Sequence, residues 1–269
     1  MTRAKLDFVS NSSLTSSQKA ELLKVDNKDL SFNYTYWELC ASGSTSRELL
    51  VYGKAHYEFT YPDFEGWGNG TVPTVFSVLP VLRIKDRRPS TKFEGKELVL
   101  AEGIVIDTFL AGRFGLLGDN EWESLAIQAF YSNIHYLRER CFSSALIVGP
   151  ELRKKARDDF LNGQLTKFCE DHEHHLKENG SNGHYVGNKL SLADIHLSNV
   201  IHFLASLPWG KMALDRFQQY ESLWKVKENV EKIPAIAEWR NSAIFKGLEE
   251  RSIDWYSNHH AVPEDQPEP

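Results

Sequence analysis

Cysteine is scarce in this sequence of 269 residues. The three cysteines, Cys40, Cys141 and Cys169, are odd in number and far apart, and no C-x-x-C motif occurs. This pattern indicates neither a disulfide framework nor a zinc site. Cysteine usage of this kind is typical of a reducing compartment, so we expect a cytoplasmic protein that holds no metal.

Positive charge in excess and long apolar runs are also lacking. The 31 lysines and arginines are outnumbered by 37 acidic residues, which leaves a net charge of -6. Without a basic surplus to neutralise phosphates, we expect no nucleic-acid partner. No window approaches the roughly 18 apolar residues of a membrane-spanning helix, so we expect no membrane partner.

The first thirty residues have neither an apolar signal core nor the acid-poor composition of a transit peptide, since Asp7, Glu21, Asp26 and Asp29 occur among them. We interpret residues 1–30 as an extension whose role the sequence does not reveal. The last residues, 258–269, are rich in proline and acidic side chains. They bury little, which predicts a flexible tail.

The chain is longer than the roughly 100–200 residues of one domain, and its two halves differ in hydrophobic periodicity. Residues 31–114 mix strand and helix patterns, which predicts a small α+β domain. Its predicted elements are, in order, strand 32–39, helix 45–53, strand 55–60, an irregular stretch at 67–73, a hairpin of strands 78–84 and 97–100, and helix 101–110.

Residues 118–257 carry only strong helical periods, which predicts an all-α domain. The predicted helices are 121–141, 150–179, 191–207, 217–231 and 233–245. The clearest local signal is Ser191 three residues before Asp194, a pair that predicts a reciprocal capping box at a helix start.

Four segments resemble, in family order, motifs of the cytosolic glutathione transferases. Residues 78–82 (VLPVL) look like the family's strand entry with a cis-proline, and 100–106 (LAEGIVI) look like its Gln/Glu-Ser-x-Ala-Ile turn. Residues 191–194 (SLAD) look like the bundle's capping box, and 233–239 (IPAIAEW) look like a late helix. Together the matches span nearly all of 32–247.

The sequence is most similar to the sigma-like, tyrosine-type classes of that family. The resemblance implies a thioredoxin-like α+β domain followed by an all-α helical bundle, the glutathione transferase architecture. It also implies an enzyme that uses glutathione as co-substrate, takes a small hydrophobic electrophile and forms a homodimer. No metal belongs to this pattern.

The same resemblance assigns the glutathione-binding residues, which are Tyr36, Trp67, Leu79, Pro80, Glu102 and Gly103. Tyr36 is the catalytic candidate. Strand alternation places Tyr34 and Tyr36 on one face, and we expect only Tyr36 to reach the following loop. A neutral tyrosine hydroxyl can donate a hydrogen bond to the glutathione sulfur and favour its ionised form.

Three other residues in the loop after Tyr36 remain alternatives as the thiol's partner. Serine-type classes use a hydroxyl from this loop, which keeps Ser42 and Ser44 open, although Ser44 or Thr45 also fits a helix N-cap. Cysteine-type classes form a mixed disulfide here, which keeps Cys40 open. The second and third functional hypotheses are therefore a non-catalytic binding or assembly module and a thiol transferase using Cys40.

The sequence departs from the family pattern at several positions in the glutathione site. Gly103 replaces a serine whose hydroxyl binds the γ-glutamyl carboxylate, and Thr71 and Val78 replace lysines near the glycyl carboxylate. Ser42 replaces an arginine, and helix 121–141 lacks the central aspartate of sigma-like enzymes. These changes weaken the expected grip on glutathione.

The histidines His172, His174 and His175 form the remaining cluster of interest. His172 and His175 share a helix face, but two ligands do not close a metal site. We expect an exposed helix end here and no metal.

Overall fold

The computed structural model describes residues 3–6, 8 and 14–263. It divides into two units, one containing residues 1–38 and 42–114 and the other containing 39–41 and 115–269. The first mixes strands with helices and the second is helical, so the predicted fold class is confirmed. Among the residues described, no helix has the length and apolar character that crossing a membrane requires.

The first unit is built on four strands, β1 (Leu30–Thr35), β2 (His56–Thr60), β3 (Val81–Asp86) and β4 (Leu98–Ala101). Their order across the sheet is β2-β1-β3-β4. Strand β1 runs parallel to β2 and antiparallel to β3, and β3 pairs antiparallel with β4. The predicted hairpin is therefore confirmed.

The first strand ends earlier than the sequence pattern predicts. It was expected to continue to residue 39, but pairing with β3 stops at the couple Thr35 and Val81. The residue before Val81 is Pro80, which has no amide hydrogen to extend the ladder. Tyr36 thus lies just beyond the strand, with its amide donating to the carbonyl of Thr60 at 3.2 Å.

Four helices complete this unit: α1 (Ser16–Leu22), α2 (Ser44–Tyr52), α3 (Phe64–Gly68) and α4 (Gly103–Arg113). Helix α2 follows the prediction closely. Helix α3 lies partly in the stretch predicted to be irregular; Asp63 caps it by accepting from the amide of Gly66. Ser46 donates a hydrogen bond to the buried Asp107, which ties α2 to α4.

The extension 1–30 belongs to the first unit rather than standing apart from it. Its apolar side chains Leu14, Leu22, Val25 and Leu30 are all buried, and burial of apolar surface is what holds such a segment in place. Within the extension, residues 1, 2, 7 and 9–13 lie outside the described residues.

The second unit contains eight α-helices within its described residues. They are α5 (Glu121–Cys141), α6 (Arg153–Asp159), α7 (Thr166–Glu178), α8 (Leu192–Ala205), α9 (Gly210–Phe217), α10 (Glu221–Glu231), α11 (Pro234–Asn241) and α12 (Ala243–His260). Helix α5 matches its prediction. The predicted helix 150–179 is interrupted by wider, π-helical geometry at Phe160–Leu165.

The prediction of one helix over 217–231 is wrong about where that helix begins. Two helices meet there instead, and α10 begins at Glu221 because the amides of Ser222 and Leu223 donate to the buried carboxylate of Glu173 at 3.3 and 3.0 Å. A carboxylate at that point satisfies amides that have no partner within the helix.

The chain end also differs from its prediction. Helix α12 continues to His260, so the segment expected to become a tail at residue 258 begins inside a helix. Its buried residues Phe245, Leu248, Ser252 and Tyr256 recur every three or four positions, and this spacing gives the helix a buried face. Residues 261–263 follow the helix without regular secondary structure, and 264–269 lie outside the described residues.

The capping box at α8 is confirmed. The amide of Asp194 donates to Oγ of Ser191 at 3.4 Å, and the amide of Ser191 donates to Oδ2 of Asp194 at 2.8 Å. The Asp194 carboxylate also accepts from the amide of Tyr185 at 2.9 Å. One fully buried carboxylate therefore holds both a helix start and the loop before it.

Candidate functional site

Strand register brings three of the predicted site residues into one row. Thr35 pairs with Val81, and Val81 pairs with Ala101. The next residues towards the same edge of the sheet are Tyr36, Pro80 and Glu102. We call these three the edge row.

The Tyr36 ring is held by packing on several sides. It is only 6% exposed, stacks on Tyr34 with ring centres 6.4 Å apart, and lies 5.4 Å from the guanidinium carbon of Arg47. A Cβ atom at position 43 would come within 2.3 Å of the ring, so only a glycine at this position allows the Tyr36 ring to lie so close to the backbone. The ring is therefore positioned by its surroundings.

The two tyrosines on this face differ in what their hydroxyls do. The Tyr34 hydroxyl donates to the carbonyl of Gly43 at 3.3 Å, and burial together with the Asp107 carboxylate raises the pKa of Tyr34 well above its ordinary value. Tyr34 therefore does reach the loop, contrary to expectation. In the part of the chain that the structure describes, the Tyr36 hydroxyl makes no hydrogen bond, so the two tyrosines differ in this respect.

Arg47 supports the tyrosine from α2, a role that the sequence did not assign to it. Its side chain is 1% exposed and donates from Nη2 to the carbonyl of Trp37 at 2.5 Å. Its guanidinium also lies 5.7 and 5.6 Å from the rings of Phe59 and Tyr61. A buried cation surrounded by ring faces is stabilised by their negative potential.

The alternative thiol partners lie in different settings. Ser42 is half-buried, Ser44 is 8% exposed in the first turn of α2, and Cys40 is 5% exposed with its amide donating to Oγ of Ser252 at 2.7 Å. The sequence predicted Ser44 or Thr45 as the N-cap of α2, but neither residue is the N-cap. The N-cap is Gly43. A glycine is required at this position because a Cβ atom there would clash with the Tyr36 ring.

The turn into α4 contains a strained residue. The backbone of Glu102 has φ of +70° and ψ of 120°, a conformation that residues other than glycine rarely adopt. Such strain persists where the surrounding structure imposes it, and it is common at ligand-binding positions. Gly103 follows as the first residue of α4, so its amide lies at a helix start that favours anions.

The predicted residues Leu79 and Pro80 lie next to this turn. The peptide bond between them is cis, as the resemblance implied. Leu79 packs on a small core cluster and Pro80 is buried. A Cβ atom on Gly103 would lie 3.8 Å from Cγ of Pro80, an ordinary contact distance, so the site has room for the missing serine.

Trp67 extends the candidate site through α3. Its ring centre lies 5.0 Å from that of Trp37, which in turn stacks on Phe64 at 5.3 Å. Thr71 and Val78, where the family pattern has lysines, are both exposed. Neither position supplies a positive charge.

The histidine cluster is not the exposed metal pair considered from the sequence. His172 is 3% exposed; its Nδ1 lies 2.6 Å from the Tyr185 hydroxyl and its Nε2 lies 2.9 Å from Oδ1 of Asn133. Both ring nitrogens are therefore engaged. Burial, with a smaller contribution from His175, lowers the pKa of His172 to about 3.

The exposed side chains His174, His175 and Glu178 do place potential ligand atoms within 4.8 Å of one another. Such a group on an exposed helix end also forms ordinary ion pairs, and Nδ1 of His175 lies 2.8 Å from Glu178. The predicted absence of a metal stays a prediction.

Comparison with known proteins shows similarity to glutathione transferases. Residues 135–243 match the family model described as glutathione S-transferase, C-terminal domain. The chain is 26% identical to probable glutathione S-transferase 7 of Caenorhabditis elegans, over 82% of this chain and 97% of that protein. This chain is similar to glutathione transferases in sequence, and its residues 135–243 match their C-terminal domain.

Two further proteins show the same similarity. The chain is 27% identical to the class-mu 28 kDa isozyme of Schistosoma japonicum, over 60% of this chain and 74% of that protein. Its fold matches the solved structure of prostaglandin synthase D of Nilaparvata lugens with a TM-score of 0.65 at 22% identity, covering 79% and 98% of the two chains. The structural likeness supports the fold.

Proposed function

We propose that this protein is a glutathione transferase that ionises the thiol of glutathione with Tyr36 and adds the sulfur to a small hydrophobic electrophile, or uses the thiolate to isomerise one. The edge row supports the proposal most directly. It brings the backbone of Tyr36, whose hydroxyl has no hydrogen-bond partner within the described structure, into line with the Leu79–Pro80 bond and the strained Glu102.

The chemistry needs only a positioned hydrogen-bond donor. A free thiol has a pKa of about 8.5 and is mostly protonated at neutral pH. A hydrogen bond from Tyr36 to the sulfur stabilises the thiolate and releases the thiol proton to water. With an aryl halide, a carbon–sulfur bond then forms, the carbon–halogen bond breaks, and halide leaves with its electron pair.

The rest of the tripeptide is proposed to lie along the edge row. The backbone of Leu79 would pair with the cysteinyl residue as an added strand does. The amide of Gly103 and the strained Glu102 would meet the γ-glutamyl end, and Trp67 would line the glycyl end. These assignments agree with the cis Leu79–Pro80 bond and the positive φ of Glu102.

A homodimer forms part of the same proposal. The first unit exposes several apolar side chains, with Val78 at 43%, Ile104 at 45% and Val105 at 51% of their surface. Ile104 and Val105 are neighbours in the chain, and contiguous exposed apolar patches are typical of association surfaces. Sedimentation equilibrium would show a mass near twice 30.8 kDa if the proposal is right.

The deciding experiment is a titration of the purified protein with glutathione, followed by thiolate absorbance and by turnover of an aryl halide. We expect Tyr36→Phe to bind glutathione but to lose thiolate absorbance and turnover, the latter on the order of a hundredfold. Tyr34→Phe is the matched control, because its hydroxyl is already bonded to Gly43. It should retain both signals.

The other outcomes separate the remaining hypotheses. Glutathione binding without thiol ionisation in the wild type would favour the non-catalytic module. That hypothesis is based on Gly103, Thr71 and Val78, which depart from the family pattern. A glutathione adduct on Cys40, found by mass spectrometry, would favour the thiol transferase. The 5% exposure of Cys40 disfavours that reaction.

A further inference from the structure

The N-terminal strand, which we define as residues 3–6, runs along the segment that leads to Leu79. The amide of Ala4 donates to the carbonyl of Gly70 at 2.7 Å, and the amide of Leu6 donates to the carbonyl of Thr74 at 2.8 Å. The Thr74 amide returns a bond to the carbonyl of Ala4 at 3.2 Å. These bonds fix the strand's register beside residues 70–74.

Side chains anchor the strand as well. Leu6 packs against the same core cluster as Leu79, a cluster formed by Val75, Val81, Val99 and Ala101. Gly70 has φ +72°, and a Cβ atom there would lie 3.2 Å from Cα of Arg3. A glycine at position 70 thus permits both the backbone turn and the close approach of the strand.

This register places Arg3 on the tryptophan of the candidate site. Its guanidinium carbon lies 3.9 Å from the centre of the Trp67 ring. Its Nη1 atom is buried and has no hydrogen-bond partner in the described part of the chain. A buried guanidinium nitrogen without an acceptor is costly, and an anion at this position would satisfy it.

Lys5 lies further along the same strand, and its Nζ atom donates to Oγ of Ser77 at 2.6 Å. Ser77 directly precedes Val78, and Gly70, which contacts Arg3, directly precedes Thr71. The strand therefore brings two cations beside two positions that carry no charge. Within the described residues, neither cation forms an ion pair with a carboxylate.

We propose that the N-terminal strand is part of the glutathione site and that Arg3 and Lys5 bind the glycyl carboxylate of the tripeptide. This inference rests on the proposed function, since it takes glutathione as the ligand. The Trp67 ring packs against the Arg3 guanidinium, and Ser77 positions Lys5. An arginine and a lysine from the extension then supply the charge that Thr71 and Val78 lack.

The test measures the binding of two ligands, glutathione and its glycyl monoethyl ester, by titration calorimetry. The ester keeps the thiol and the γ-glutamyl group but has no glycyl charge. We expect the wild type to bind glutathione about tenfold more tightly than the ester, as expected for charge-assisted hydrogen bonds. In the double variant Arg3→Gln, Lys5→Gln, affinity for glutathione should fall to that for the ester, whose binding should not change.

Two further variants control for folding and for net charge. Arg3→Lys keeps a cation on the strand and should retain most of the preference for glutathione. Lys24→Gln removes an exposed lysine of the same extension and should leave both affinities unchanged. Thermal unfolding of each variant shows whether the substitution has destabilised the first unit.

The results distinguish this inference from the proposed function. If the double variant keeps the wild-type preference, or if the wild type has none, Arg3 and Lys5 do not bind the carboxylate and the inference is overturned while glutathione binding stands. If the wild type binds neither ligand, the proposed function fails and the inference fails with it.

Discussion

The ring of Tyr36 occupies the space that a side chain on Gly43 would fill. A Cβ atom at position 43 would lie 2.3 Å from Cδ1 and 2.8 Å from Cε1 of the tyrosine. Gly43 has φ of -84°, which any residue can adopt, so the requirement for glycine arises from this contact and not from the backbone.

Gly43→Ala should therefore displace Tyr36. We expect thiolate absorbance and aryl halide turnover to fall at least about tenfold, because overpacking of one methyl group forces the ring to move. The matched control is Gly68→Ala, since no atom lies within 4 Å of a Cβ atom at that glycine. Unchanged turnover in Gly43→Ala would show that the position of the Tyr36 ring is not needed for the reaction.

Gly103→Ser should tighten glutathione binding. The new Cβ atom would meet Pro80 only at 3.8 Å, and the hydroxyl would add a donor at the start of α4. A gain of about tenfold in affinity is expected for a charge-assisted hydrogen bond. Gly103→Ala adds the same Cβ atom without the hydroxyl, so equal affinities of the two variants would contradict the predicted contact.

Stability should fall in acid because His172 is kept neutral. Its pKa is lowered to about 3 in the folded chain, whereas an unfolded histidine titrates near 6.5. Below pH 6.5 the unfolded state binds the additional proton, so the free energy of unfolding should fall on the order of 1 kcal/mol for each pH unit down to about 3.

Urea unfolding of His172→Gln across this range measures that contribution. The variant should lose the part of the acid slope that His172 causes, on top of a pH-independent loss from its contacts with Tyr185 and Asn133. Comparing about pH 8 with about pH 5 separates the two effects. An acid slope identical to that of the wild type would mean that His172 is not the group responsible.

The two residues of the α8 capping box, Ser191 and Asp194, should contribute unequally to the free energy of unfolding. Ser191→Ala removes one cap and should cost about 1 kcal/mol. Asp194→Ala also deprives the amides of Ser191 and Tyr185 of their acceptor, so a larger cost, about 2–4 kcal/mol, is expected. Urea denaturation gives both values, and the reverse order would contradict the central role of the carboxylate.

Much of the architecture follows from patterns that span only a few residues. The α8 capping box, helix α5, and the hairpin of β3 and β4 were predicted because alternation, helical period and caps act between near neighbours in the chain. The alternation that placed Tyr34 and Tyr36 on one face agrees with their stacked rings for the same reason.

Other features depend on residues far apart in the chain, and no local pattern indicates them. Glu173 sets the start of α10 from about fifty positions away, and Tyr185 and Asn133 enclose His172. The Tyr34 hydroxyl donates to the carbonyl of Gly43, whereas the Tyr36 hydroxyl has no hydrogen-bond partner among the described residues.

The extension shows the same division most clearly. The composition of residues 1–30 predicted only a segment without a targeting signal. In the structure, backbone hydrogen bonds of Ala4 and Leu6 and the packing of Leu6 bring Arg3 onto Trp67. Local composition decides which side chains are present, but the fold decides which of them meet. Contacts across more than sixty residues are set by the packing of the whole unit, and no short stretch of sequence contains that information.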